Sequence, residues 1–426
     1  MDDVSKRTLG WQRQVFAILW TSYASYYLCR MNFSAAKPEI LHEFAGWTKG
    51  DIGLIESVYL LCYATGQFVN GQIGTRVGAR RMLAMGLVAI GVCNLLFAST
   101  SSYALMLALW AVNGYCQSTG WPMVVQTMSS WFRVARRGSM MGLISTCYQV
   151  GNVSAWLLGG WLVSDFGWRA AFWVPGLALL PVAALALAGL RNRPEDAGLG
   201  PIRDDTAPEG PDAGTVEDWS LGRILRTTLQ SRVLWILALS YFCFNSVRYA
   251  FMNWGIQYFA DFHGQEVKSG AFMAVAFPLI GALGAVSSGW ASDRFFHGRR
   301  APVCAIMLLL LGGACLLFIP IPKGAVLEAT ALLGLAGFLI YGPDAILTGA
   351  AAIDLAHPRA AAAATGFIMA TGNFGSAIFS GAGVGHLLDE YAGSWTPVFV
   401  VLTVLSVLAA LMSALLWNQK PKPRTR

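Results

Sequence analysis

The chain of 426 residues is 55% hydrophobic and only 12% charged, with a formal net charge of +7. Soluble domains carry about 25% charged residues, so half of the usual surface charge is missing. That composition excludes an ordinary soluble globular protein, suggests no nucleic-acid partner, and leaves a polytopic helical protein whose partner is the lipid bilayer.

The first apolar stretch begins at Val15 and runs through YASYYLCRMNF, residues 23–33. It is long and shows no small-residue cleavage site, so it reads as a span and not as a removable leader. An arginine, Arg30, stands inside it. A second span follows around Gly66, with Glu56 near its outer end, and is followed by the loop GQIGTRVGARR (71–81). Residues 82–132, 51 positions, contain no Asp, Glu, Lys or Arg. At about 20 apolar residues per bilayer crossing, this run holds two helices, turned at STSS (99–102). Uncharged runs at 138–164 and 170–190 complete the first half.

Residues 191–231 interrupt the pattern. From Pro194 to Asp218 there are four prolines, eight acidic residues and one arginine, the composition of a solvated, partly disordered linker. Apolar segments resume with NSVRYAFMNW (245–254), which places Arg248 inside a span, and continue as 269–292, 301–322, a segment around Gly342, 360–388 and 391–419. The expected architecture is all-α: about twelve spans in two six-helix bundles, residues 1–190 and 232–426, joined by the linker.

Basic residues orient the chain. With both termini cytoplasmic, 23 of the 30 Lys and Arg fall on that side, and five (Lys37, Lys49, Arg169, Lys268, Lys323) on the other. The eight cysteines all lie in spans without metal-ligand spacing and read as small packing residues. Trp121, Trp131, Trp156, Trp161 and Trp254 read mostly as lipid-facing or interfacial anchors, with Trp254 a candidate for the cavity. The glycosylation sequons, at Asn32 and Asn152, fall inside spans.

The halves repeat each other. GQIGTRVGARR corresponds to GWASDRFFHGRR (289–300), and Arg30 and Arg248 each lie 41 residues before the first glycine of these loops. GLISTCYQVG (142–151) corresponds to GFIMATGNFG (366–375). A central arginine costs about 2.5–3.5 kcal/mol to insert, so each needs a partner or an aqueous cavity. Pairing with a buried acid or snorkelling would serve, although Arg248 is too central to snorkel. Equivalent placement in two halves favours a shared role, a clamp for one tetrahedral dianion, because the planar guanidinium fork binds phosphate oxygens in pairs.

Two six-helix repeats, a central linker and the basic loop motif resemble the major facilitator superfamily, whose substrate site lies at the interface of the repeats near mid-membrane. YASYYLCRMNF, NGYCQSTGWP (113–122), VRYAFMNW (247–254) and FLIYGP (338–343) narrow the resemblance to the organophosphate:phosphate antiporter family. The resemblance implies phosphoryl binding by Arg30 and Arg248, a cavity lined by Tyr23, Tyr27 and Tyr63, and gating by the loop residues Arg76, Arg80, Asp293 and Arg294. Thr75 replaces the motif's carboxylate in the first half, which weakens that latch. Relative to members of the glycerol-3-phosphate type, Met31, Gln67, Tyr148, Asn253 and Pro278 replace polar or charged cavity residues, so positive charge narrows towards the arginine pair. Asp344 is an added carboxylate. It reads either as a Pro-Asp turn paired locally or as a contact for a cationic or hydroxyl group on an amino-phosphonate or phospho-amino alcohol.

The expected function is exchange of an organophosphate or phosphonate for inorganic phosphate by alternating access, in a monomer of a bacterial inner membrane, without a cofactor or metal. The alternatives are a proton-coupled organic-anion symporter using Asp344 or Glu56, and a transporter-like sensor. No nucleophile–base pair, metal cluster or phosphate-cradling loop points to an enzyme or an ATP-driven pump.

Overall fold

The computed structural model describes residues 3–200, 202, 226, 228–296, 299–350 and 361–419. Among these, every regular element is helical. In chain order they are α1 (Asp3–Leu28), α2 (Asn32–Glu43), α3 (Lys49–Val77), α4 (Ala79–Ala98), α5 (Tyr103–Gln117), α6 (Gly120–Trp131), α7 (Val134–Ile144), α8 (Thr146–Phe166) and α9 (Ala170–Gly189). After a 3-10 turn at Pro194–Ala197 come α10 (Arg232–His263), α11 (Val267–Ala274), α12 (Ala276–Phe295), α13 (Arg300–Leu317), α14 (Val326–Ala345), α15 (Ala361–Ser376), α16 (Val384–Glu390) and α17 (Thr396–Ala414). Two π-helical stretches, Ile346–Ala350 and Ala377–Gly383, extend α14 and join α15 to α16. The greater part of the expected linker lies outside the described residues.

Among the described residues, seven helical stretches are long and apolar enough to cross a membrane, beginning at Ala79, Ala170, Arg232, Val267, Arg300, Val326 and Thr396. The remaining expected spans are broken or polar. The first is interrupted between Leu28 and Asn32, and α3 carries Lys49, Asp51, Glu56 and Arg76. The break at Arg30 is held by two polar side chains from α5. Gln117 Nε2 donates to the Tyr26 carbonyl at 3.0 Å, and Asn113 Nδ2 to the Cys29 carbonyl at 3.2 Å. Carbonyls released by a helix break must find donors where water is absent, which explains why Asn and Gln stand in an otherwise apolar run.

Helix ends are set locally. The Thr48 hydroxyl accepts from the Asp51 amide at 3.1 Å, and the Asp51 carboxylate accepts from the Thr48 amide at 2.8 Å, a reciprocal cap on α3. At its other end Gly78, with φ +84°, turns the chain into α4, a conformation that disfavours any side chain.

Packing repeats between the halves. α1 packs on α8, α3 on α5 and α4 on α9, while α10 packs on α15, α12 on α14 and α13 on α17. Small residues allow these approaches. A Cβ at Gly114 would lie 2.3 Å from the Tyr59 carbonyl, and one at Gly337 would lie 2.1 Å from that of Phe277. Val286 and Leu327 are 75% and 79% exposed, whereas Asn32, Asn94 and Asn113 are buried, an arrangement suited to lipid outside and polar contacts inside.

Two expectations are corrected. Lys37 does not lie in an exterior loop; it is fully buried in α2, because an acid on α3 meets it. Trp131, Trp156 and Trp254 are buried and not lipid-facing, with Trp131 donating its indole N–H to the Arg191 carbonyl at 3.0 Å. Trp161 is exposed, as an anchor would be. All eight cysteines are unpaired.

Candidate functional site

Arg30 follows the end of α1 and is almost wholly buried in tyrosine rings. Its guanidinium carbon lies 4.7 Å from the Tyr63 ring centroid, 5.6 Å from those of Tyr27 and Tyr249, and 5.9 Å from that of Tyr59. The break in the first span puts Arg30 where those rings converge, and each offers its negative face to the cation. Nη2 donates to the Tyr249 hydroxyl across the two halves of the chain.

Arg248, on α10, faces the same tyrosine. Its guanidinium carbon lies 5.7 Å from the Tyr249 centroid and 5.8 Å from that of Tyr341. Unlike Arg30 it has a carboxylate partner: Nη1 donates to Asp344 Oδ1 at 3.1 Å, and the Tyr241 hydroxyl donates to the same oxygen at 3.0 Å. Asp344 is presented by the Pro343 region of α14, just before the π turn. The Nε atoms of both arginines are buried without a hydrogen-bond partner. Such orphaned donors call for an explanation, and both stand on cations around one tyrosine.

Around this centre Tyr23, Tyr27 and Tyr148 meet edge to face, with centroids 5.3–5.9 Å apart, and Trp121 joins them 4.8 Å from Tyr148. Gln67 Nε2 donates to Tyr63 Oη at 3.0 Å and its Oε1 accepts from Asn373 Nδ2 at 3.3 Å. Asn373 Oδ1 in turn accepts from Asn245 Nδ2 at 3.3 Å, so a polar chain crosses from α3 through α15 to α10. Asn253 is placed elsewhere, with its carbonyl engaged by Ser34 and Lys37. Tyr249, Tyr241, Tyr59, Tyr341, Asn245 and Asn373 were not anticipated. Their signal was available in part: Tyr241, Asn245 and Arg248 are spaced four and three apart, which is one helix face. Among the described residues no group of three His, Cys, Asp or Glu could hold a metal.

On the face distal to both chain termini the two halves are closed on each other. Lys37 Nζ pairs with Glu56 Oε1 at 2.7 Å, donates to the Asn253 carbonyl at 2.9 Å, and sits 4.0 Å from the Trp254 ring centroid. Trp254 donates to the Ser380 carbonyl at 2.6 Å, and Ser57 accepts from the Ala382 amide at 2.8 Å. Lys49 pairs with Asp261, and its backbone amide and that of Gly50 donate to Asp389 at 3.0 and 2.7 Å. Gly53 crosses Gly381 so closely that a Cβ on Gly53 would meet the Gly381 carbonyl at 2.4 Å. Beside this closure Arg169 and the Trp168 indole both donate to Glu43 Oε2 at 2.7 Å, and hold its carboxyl below the usual range.

At the opposite face the loop motifs make contacts within their own halves. Arg80 Nε donates to the Leu187 carbonyl at the end of α9, and Asp293 pairs with Arg300 at 2.8 Å. Arg76 and Arg294 are exposed. The Thr75 side chain lies outside what is described.

The Major Facilitator Superfamily profile matches residues 19–380. The chain is 31% identical over 420 residues to the membrane sensor protein UhpC of Salmonella typhimurium, covering 96% of this chain and 92% of that one. It is 30% identical over 427 residues to the glycerol-3-phosphate transporter of Bacillus subtilis, covering 98% and 95%. It is likewise 30% identical over 432 residues to a probable hexose phosphate transport protein of Chlamydia pneumoniae, covering 98% and 94%. A solved bacterial homolog of the human lysosomal transporter Spinster, inward-facing and unoccupied, superposes with a TM-score of 0.76 over 96% of both chains at 15% identity, a likeness of fold.

Proposed function

From the premise that the chain belongs to the Major Facilitator Superfamily, and within it to the organophosphate:phosphate antiporter family, we propose that it exchanges a phosphorylated or phosphonate anion for inorganic phosphate by alternating access. Arg30 and Arg248 hold the phosphoryl group. The observation that carries this reading is the pair of guanidiniums, one from each half, flanking Tyr249 with an unpartnered Nε on each. The printed names of the Bacillus and Chlamydia relatives support a phosphate ester as the organic substrate.

The proposal reads the distal face as exterior and both termini as cytoplasmic, with the chain a monomer of twelve spans in a bacterial inner membrane. On that reading the site here opens to the cytoplasm. A bound dianion would bridge the halves and offset the two like charges, which lowers the barrier to rocking; it shifts the equilibrium only as far as it binds one state better than the other.

The test is counterflow of labelled phosphate into liposomes loaded with inorganic phosphate, with wild type beside Arg30→Lys and Arg248→Lys. Rapid exchange in the wild type, reduced about 100-fold or more in each variant because lysine lacks the two-pronged fork, is the expected result. Equal rates in all three would sink the arginine clamp. A sensor is the second reading, favoured by the name of the Salmonella relative; it predicts saturable phosphate-ester binding without counterflow. For a proton symporter, Asp344 and Glu56 would have to leave their present partners, Arg248 and Lys37.

A further inference from the structure

Asp344 is an odd neighbour for a phosphate clamp. Both hydrogen bonds to its carboxylate, from Arg248 Nη1 and from Tyr241, go to Oδ1, and among the described residues none reaches Oδ2. The side chain keeps 19% of its surface exposed. A second acceptor stands nearby: Asn245, between Tyr241 and Arg248 on the same face of α10, has its Oδ1 buried without a partner. Gln67 and Tyr148, at the other cavity positions, are neutral.

The charge pattern is therefore uneven. Arg30 is surrounded by tyrosines alone, whereas Arg248 shares its charge with a carboxylate. A phosphate dianion spanning both arginines would stand beside Asp344 and be repelled by it, unless the ligand brought its own cation to that spot. A hydroxyl could satisfy one open acceptor. An ammonium supplies three donors and no acceptor, so it can serve Asp344 Oδ2 while removing the repulsion. Two guanidiniums and one carboxylate sum to one positive charge, which a zwitterion of dianionic phosphonate and ammonium neutralises.

We propose that the preferred organic substrate joins a phosphoryl or phosphonyl group, held by Arg30 and Arg248, through a short carbon chain to an ammonium group accepted by Asp344. This deepens the phosphoryl-binding reading above and rests on it.

The test compares 2-aminoethylphosphonate with 2-hydroxyethylphosphonate, which differ at the terminal group alone, as competitors of labelled-phosphate exchange in phosphate-loaded liposomes. The amine is expected to compete at a concentration about tenfold lower or better, the ratio one charge-assisted hydrogen bond confers. In Asp344→Asn that ratio is expected to fall towards one. Equal competition in the wild type, or an undiminished ratio in Asp344→Asn, overturns the proposal; should the variant not assemble, the wild-type ratio decides. Calorimetric binding of the same two phosphonates to detergent-solubilised protein separates this from the exchange reading. Preference for the amine without any exchange keeps the proposal and sinks antiport, and exchange without preference does the reverse.

Discussion

Arg30 and Arg248 occupy equivalent places in the repeat, yet the first lies among aromatic faces and the second against a carboxylate. Lys37 and Glu56 form a more deeply buried ionic contact, with 0% and 6% side-chain exposure. A buried ion pair is weak evidence of net stabilisation, but removing one partner strands the other and costs about 3–5 kcal/mol. Lys37→Met should therefore lower the melting temperature of the purified protein sharply, while Lys37→Met with Glu56→Leu should recover most of the loss. A double variant as unstable as the single one would mean that the lysine acts through Asn253 and Trp254 instead. The arginines are conspicuous in the sequence as charges inside apolar runs, whereas Tyr23, Tyr27 and Tyr63 come from the family resemblance; of these, Tyr27 and Tyr63 set their rings beside Arg30. Lys37 was misread because it follows the expected end of a span, where lysines ordinarily reach water. Nothing local says that Glu56, 19 positions on, comes back to meet it.

At the scale of elements, hydropathy located the apolar segments but was blind to their interruptions. The chain around Cys29–Met31 is apolar on either side of Arg30, so only the donors Asn113 and Gln117, distant in sequence, betray that the first span is broken there. Helix crossings were legible only as an excess of glycine, since which glycine meets which backbone is a property of packing. A tight crossing on the distal face joins α3 to the π turn before α16: a Cβ at Gly381 would meet Ser57 Oγ at 2.3 Å and the Gly53 carbonyl at 2.7 Å. Gly381→Leu should prop this face apart. The expected signature is faster labelling of a cysteine placed at Ser57 by a membrane-impermeant thiol reagent, relative to the same cysteine with Gly381 intact. Unchanged labelling would show that the crossing does not seal the face.

For the whole molecule, the contacts between halves run from the arginine centre to the distal face. Besides the α3 crossing, α8 packs on α11, and the Lys268 amide donates to Ser164 Oγ at 3.2 Å. If transport requires this face to open, cysteines at Ser164 and Lys268 joined by a short bifunctional thiol reagent should halt phosphate exchange, while each single variant treated alike keeps it. Exchange through the cross-linked protein would refute rocking about this interface. The Arg248–Asp344 pair bears on a different quantity, the response to voltage. An unloaded site carries the uncompensated charge of Arg30, and moving one elementary charge through a membrane field is worth about 2.3 kcal/mol per 100 mV. A site filled by a zwitterion with one net negative charge moves none, whereas one filled by a phosphate dianion moves one negative charge. An imposed diffusion potential should thus leave the zwitterion-loaded step untouched and act in opposite senses on the phosphate-loaded and empty steps, so that the field biases which half of the exchange is slow while the concentration ratio sets the direction of traffic.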